Sequence, residues 1–311
     1  MRIGIEHCGY YQCRVGDFIV TAINDGMLDV TNDVVIGVSK EECERIEAVN
    51  FRRRPLQITI NCFLMIIGGA PTLIDTGYGT KSKATLGLLT RRLAELDIAP
   101  TDIRSILLTH FHPDHYGGLL DRDGACVFPN AELVVHEDEL GFWEDPGRLA
   151  AAPARTQANI AGVHAVINAY RNQLRTIRGG DALPGVTAVP EPGHTPGHTG
   201  WLVHSGHDQL LIWGDIVHMP GVQFTNTAAG MVYDVDPGQA VATRRRMMDM
   251  AATDRLRIAG MHLDFPAFGH VARRGDGYAF VPDTWLPAPP GNADSGGQQA
   301  SGTTSKSEQA G

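Results

Sequence analysis

The sequence predicts a layered fold of β-sheets and helices with a single site fed by loops from several strands. Short strand-like runs alternate with helical patterns along the chain, and each run empties into a turn that carries Gly, Asp or His. Over 311 residues, 43% hydrophobic against 20% charged is a composition that buries a sizeable core. In layered folds of this kind ligand sites sit at strand ends, so the polar turns nominate one site.

Residues 57–67 and 72–74 read as strands that run into Asp75-Thr76-Gly77, residues 86–96 as a helix, and 105–108 as a strand that runs into Thr109-His110. Further strands are expected at 133–136, 186–189, 200–203 and 210–213, the last entering Gly214-Asp215. Residues 237–250 are helical, with Asp236 placed to cap and Pro237 at the first helical position, and 256–259 is a strand that ends in Gly260-Met261-His262. Between strands, residues 143–180 have an Ala-rich helical texture and are expected to be a helical insertion that walls a pocket. The stretch 288–311 is rich in Gly, Ser, Pro and Gln and is expected to be a disordered tail, which leaves 1–287 as the folded part.

Charge and composition exclude some function classes. Lys+Arg 26 against Asp+Glu 35 gives a net charge of −9, which repels phosphate backbones, so no nucleic-acid partner is expected. The longest apolar run, about 62–67, is far too short to span a membrane, and no apolar export signal opens the chain, so a cytoplasmic protein is expected. The five cysteines are scattered without a C-x-x-C pair and read as reduced thiols.

The decisive segment is Thr109-His110-Phe111-His112-Pro113-Asp114-His115, with three His and one Asp within six residues. A strand emptying into a polar turn aims alternate side chains one way, so His110 and His112 can share one metal while Asp114 and His115 turn toward a second. Imidazole nitrogen and carboxylate oxygen suit borderline metals such as zinc. Other turns complete the set: His194 in Pro192-Gly193-His194-Thr195-Pro196-Gly197-His198, Asp215 after Trp213-Gly214, and His262 after Gly260-Met261. His110, His112 and His194 then hold one ion, Asp114, His115 and His262 the other, and Asp215 bridges.

The pattern H-x-H-x-D-H, followed by G-H-T-P-G-H, G-D and a late His, resembles the metallo-β-lactamase fold superfamily from Asp75 to His262. The resemblance implies an α+β fold, a four-layer αββα sandwich, in one domain. It also implies that Asp75 orients metal ligands and that His198 neighbours the ligands without binding. The stretch from Ala259 to Val271, Gly277-Tyr278-Ala279-Phe280-Val281-Pro282, and Gly214-Asp215-Ile216-Val217-His218 resemble the methyl parathion hydrolase and acyl homoserine lactonase-like branch. His218 and the aromatics Phe111, Trp143, Phe224 and Phe265 flank ligand segments and are candidates to line a pocket, although core packing is the default for each aromatic. His7, His136, His164, His204, His207 and His270 have no ligand context.

Two divalent ions, zinc foremost and manganese, cobalt or iron compatible, bring the pKa of water from 15.7 toward about 7. The expected function is therefore a binuclear hydrolase in which a metal-bridging hydroxide cleaves a small neutral ester-like bond: a lactone, aryl ester or phosphotriester. Asp114 is placed to pass a proton to the leaving group. The partner is a small molecule, and a homodimer is compatible. The alternatives are a mononuclear iron persulfide dioxygenase, which uses part of the ligand set, and a β-lactamase.

Overall fold

The computed structural model describes residues 8–52, 54–79 and 85–285. The expected disordered tail at 288–311, like His7, lies outside the described residues. The first half lays down β1 (Tyr10–Val15), β2 (Phe18–Val30), the short β3 (Val35–Ile36), β4 (Leu56–Ile67), β5 (Ala70–Ile74), β6 (Ser105–Leu107), β7 (Glu132–His136) and β8 (Leu174–Ile177). The second half adds β9 (Gly180–Leu183), β10 (Val186–Pro190), β11 (Thr199–Ser205), β12 (Asp208–Ile212), β13 (Gly230–Met231), β14 (Arg257–Ala259), β15 (Phe268–Arg274) and β16 (Gly277–Pro282). They form two seven-stranded mixed sheets, ordered β1-β2-β4-β5-β6-β7-β8 and β16-β15-β14-β12-β11-β10-β9, while β3 pairs with β13 apart from both.

Period-two alternation places the strands between layers. In β4, Phe63, Met65 and Ile67 join Trp201 and Val203 in the core between the sheets. The alternate residues Cys62 and Leu64 turn outward, onto Leu89 and Leu93 of the helix Leu89–Glu95 and Val163, Val166 and Ile167 of the helix Ile160–Ala169. Outside the second sheet lies the helix Pro237–Thr253, whose N-cap Asp236 accepts from the backbone N–H of Gln239 and whose Met247, Met248 and Ala251 are buried. The arrangement is the αββα sandwich of the α+β class. Among the described residues no helix is long and apolar enough to cross a membrane.

The helical stretch between β7 and β8 differs from its sequence-based bounds. It comprises Glu137–Glu144, Pro146–Ala151, Ala154–Gln157 and Ile160–Ala169, and residues 174–177 and 180–183 are strands. The helices start at Glu137 because His136 caps them, its Nδ1 accepting from the backbone N–H of Asp138 at 3.1 Å.

Topology concentrates the polar turns at one end. β5, β6 and β7 run parallel, so the residues after each, Asp75, His110–His115 and Glu139, emerge on the same side. In the second sheet β12 and β14 are parallel and deliver Asp215 and His262, and antiparallel β10 and β11 place the turn 191–198 beside them. Two backbone bonds join the halves here: Thr199 N–H donates to Thr109 C=O at 3.0 Å and Asn61 N–H to Met261 C=O at 2.9 Å.

Candidate metal centre

The seven nominated side chains converge from four turns. His110, His112, His194 and Asp215 form one group and Asp114, His115 and His262 another, with the ligand atoms of each within 4.8 Å of one another. In the first, His112 Nδ1 lies 3.1 Å from His110 Nε2 and 2.9 Å from His194 Nε2, and Asp215 Oδ2 is 3.2 Å from His194 Nε2 and 3.6 Å from His110 Nε2. In the second, Asp215 Oδ1 lies 3.3 Å from His115 Nε2 and 3.2 Å from His262 Nε2, with Asp114 3.7 and 3.5 Å from the same nitrogens. Asp215 thus divides its two oxygens between the groups.

The donor set fits cations. His115 Nε2, His262 Nε2 and Asp215 Oδ1 are buried without a hydrogen-bond partner, which in a protein interior is costly unless an ion satisfies them. Ligands about 2.0 to 2.1 Å from a tetrahedral ion sit about 3.3 to 3.4 Å apart, and the observed separations straddle that value. Both clusters are therefore able to hold metal ions.

Four of the imidazoles, those of His110, His115, His194 and His262, are turned by a partner on their other nitrogen. His262 Nδ1 donates to the Thr59 carbonyl at 2.7 Å, which leaves the Nε2 lone pair facing the cluster. His115 Nδ1 lies 2.6 Å from Asp75 Oδ2, His194 Nδ1 is 2.8 Å from Asp234 Oδ1, and His110 Nδ1 is 3.0 Å from Thr109 Oγ1. Asp75, itself at φ +58, also accepts from Thr109 N–H and Oγ1–H, each at 2.7 Å.

His198 binds no ion in this geometry but sets Asp215. Its Nδ1–H donates to the Glu191 carbonyl at 2.9 Å, so its Nε2 accepts from Asp215 N–H at 2.9 Å. Gly214, at φ +52, makes that approach possible, since a Cβ there would stand 2.3 Å from His198 Nε2.

Burial and charge set the protonation states. Burial pushes His110 and His112 well below the usual imidazole range and His198 down to about 3. Burial opposes charge on His194 as well, but its contacts with Asp215 and Asp234 prevail and raise it to about 9. For Asp215 burial acts upward, and the surrounding imidazoles of His115, His262, His218 and His110 overcome it and hold the carboxyl well below the ordinary range.

A cavity of about 240 Å³ opens above the clusters and is lined by Asp114, Asp215, His112, His218 and His262 together with Leu28, Ile58, Tyr78, Arg155, Thr156, Asn159 and Tyr233. His218 belongs to the site, its Nε2 3.0 Å from Asp215 Oδ2. Phe224 and Phe265 do not line this cavity. Phe224 packs between Trp213 and Phe280 and borders a different groove, and Phe265 packs against the core between the sheets. Nearness to a ligand in sequence does not fix the face a side chain presents, and both rings follow the apolar layer. Phe111 and Trp143 are likewise core residues of the outer layer.

Sequence reasoning missed Asp234 and Glu139. Glu139 is fully buried and accepts from Phe111 N–H, Trp143 Nε1–H, Thr195 Oγ1–H and Gly197 N–H at 2.8, 2.8, 2.5 and 3.1 Å, clasping the His110–His115 turn to the His194–His198 turn. The available signal for Glu139 was a carboxylate in the first turn after a strand, and for Asp234 there was none beyond its type. The pocket wall at Tyr78, Arg155 and Tyr233 was also not nominated.

The comparisons agree with this geometry. The metallo-beta-lactamase superfamily model matches residues 57–262. The solved structure of AbOPH, described as a hydrolase in the beta lactamase superfamily, superposes with a TM-score of 0.85 at 32% identity, covering 90% of this chain and 99% of that one. AidC, a dizinc quorum-quenching lactonase solved with a product, superposes with a TM-score of 0.84 at 26% identity, covering 89% and 98%. The N-acyl homoserine lactonase AiiB of Rhizobium rhizogenes is 30% identical over 107 residues, 28% of this chain and 36% of that protein. The chain spans from about a third to two thirds of the length of the curated relatives it matches. By its sandwich fold, its clustered His and Asp donors and the matched span, this chain belongs to the metallo-beta-lactamase superfamily, among its metal-dependent hydrolases.

Proposed function

We propose that the chain is a binuclear metal-dependent hydrolase that cleaves a small neutral ester-like bond, in a lactone, an aryl ester or a phosphotriester. The observation that carries this reading is Asp215, whose two oxygens face two separate donor groups. His110, His112 and His194 would hold one ion and Asp114, His115 and His262 the other. When bound, two divalent ions, zinc foremost, lower the pKa of water into the neutral range and polarise the oxygen of the scissile group.

The chain's own residues do the rest. Asp114 is the ligand whose side chain keeps 20% exposure, on the cavity side, which suits it to carry a proton to the departing oxygen. Leu28 and Ile58 supply apolar wall that excludes water from one side of the substrate. A net charge of −9 gives strongly anionic substrates no long-range attraction. The superposition on AidC, a dizinc lactonase, supports the lactone end of the range.

The test is elemental analysis on the same sample used to compare kcat/KM for neutral lactones, aryl esters, dialkyl aryl phosphates and phosphate diesters. Close to two ions per chain and preference for the first three are expected. A preference for diesters, or one iron per chain with oxygen-dependent thiol chemistry, overturns the reading.

A further inference from the structure

Arg155 stands where the hydrolase reading leaves a charge unexplained. It is exposed on the short helix Ala154–Gln157, lines the cavity above the clusters, and its guanidinium carbon lies 5.0 Å from the centre of the Tyr233 ring. That ring in turn is 5.8 Å from the ring of His218, whose Nε2 is 3.0 Å from Asp215. The guanidinium is therefore two ring contacts from the reacting centre. It is the only arginine or lysine among the described lining residues, and no described carboxylate pairs with it.

The segment that carries it is held in place. Asn159, four residues on, donates from Nδ2 to the Phe111 carbonyl at 2.7 Å and accepts from Tyr116 Oη–H at 2.6 Å, which pins the segment to the ligand turn. Gln157 Nε2 donates to the carbonyls of Ala150 and Ala152 at 3.2 and 2.9 Å. A guanidinium stacked on an aromatic face keeps its in-plane N–H fork free, and that fork matches a carboxylate with two parallel bonds. An acidic protein does not steer anions from a distance, but a single cation at contact distance selects among molecules already in the cavity.

We infer that Arg155 is a specificity-determining residue, and that the substrate carries a carboxylate remote from the scissile ester or lactone bond, received by Arg155 on its Tyr233 platform. This deepens the hydrolase reading and rests on it.

The experiment compares 4-nitrophenyl esters of glutaric, adipic and suberic acid, each with its far carboxyl free or capped as a methyl ester, on zinc-loaded wild type, Arg155→Ala and Arg155→Lys. At one chain length the wild type should prefer the free acid, and Arg155→Ala should raise KM for that acid about ten- to a hundredfold, a loss at least tenfold larger than the one it causes for the capped ester of the same length. Arg155→Lys should recover part of the loss. Equal kcat/KM for free and capped esters in the wild type, or parallel losses in both series, overturns the inference. Calorimetric binding of adipate against hexanoate gives a readout without turnover. An Arg155-dependent advantage for adipate in a protein that hydrolyses none of the esters would uphold the carboxylate site and defeat the hydrolase reading, while hydrolysis without that advantage would do the reverse.

Discussion

Asp234 receives Nδ1 of His194 at 2.8 Å across 40 residues of chain, and its other carboxylate oxygen accepts from the Met231 N–H at 2.9 Å. The carboxylate thereby fixes which nitrogen of His194 faces the cluster. Burial opposes its charge, yet His194 beside it holds the carboxyl below the ordinary range. Asp234→Asn should lower metal affinity about 10- to 100-fold with the fold intact, because the supporting bond is weakened while the ligand remains. Competition against a chromophoric chelator measures it, and an unchanged affinity would remove Asp234 from the site.

Stripping metal with a chelator should abolish activity, and restoring it should need close to two equivalents of zinc. Ligand binding at 100 times Kd stabilises a fold by about 2.7 kcal/mol, so metal should also raise the urea midpoint. Asp215→Ala, which removes the carboxylate whose two oxygens face both donor groups, should lower the bound metal further than His262→Ala, whose Nε2 faces only Asp114 and one oxygen of Asp215. Equal stoichiometry in the two variants would contradict the sharing.

Glu139→Gln replaces an acceptor of four hydrogen bonds by an amide that turns N–H toward N–H. A loss of about 2 to 4 kcal/mol in urea unfolding is expected, together with weaker metal binding, since the carboxylate ties the two ligand turns together. Wild-type stability in this variant would show that the clasp is dispensable.

Gly214→Ala and Gly141→Ala should separate cleanly. At Gly214 the new methyl meets His198 Nε2 at 2.3 Å in a backbone at φ +52, so Asp215 loses its backbone anchor and activity should fall at least tenfold, on the order of a lost supporting bond in a metal site. At Gly141, inside the helix Glu137–Glu144, a Cβ meets nothing within 4 Å, and alanine should stabilise by about 0.5 to 1 kcal/mol. Thermal melts and turnover on both variants test the contrast.

The candidate metal donors could be read from sequence because metal chemistry restricts residue type and because strands must end in turns, so His110, His112 and His115 announce themselves locally. Asp234 and Glu139 act through bonds to loops far along the chain, and a lone acidic residue carries no spacing that reveals its partner. Phe224 and Phe265 show the converse error: beside a ligand segment in sequence, they were drawn into the apolar layers. The strand β2 escaped for a different reason. A bulge between Asn24 and Gly26 shifts the register against β4, which breaks the alternation that marks a strand.

The crossover between β7 and β8 contributes no candidate metal donor, yet it carries Arg155, Thr156 and Asn159 to the mouth of the cavity. The candidate donor turns and this part of the cavity wall are consequently encoded on separate stretches of the chain, joined at the Phe111 carbonyl and the Glu139 carboxylate. Exchange of residues 146–158 between relatives would therefore reshape the cavity mouth while leaving every candidate donor atom in place.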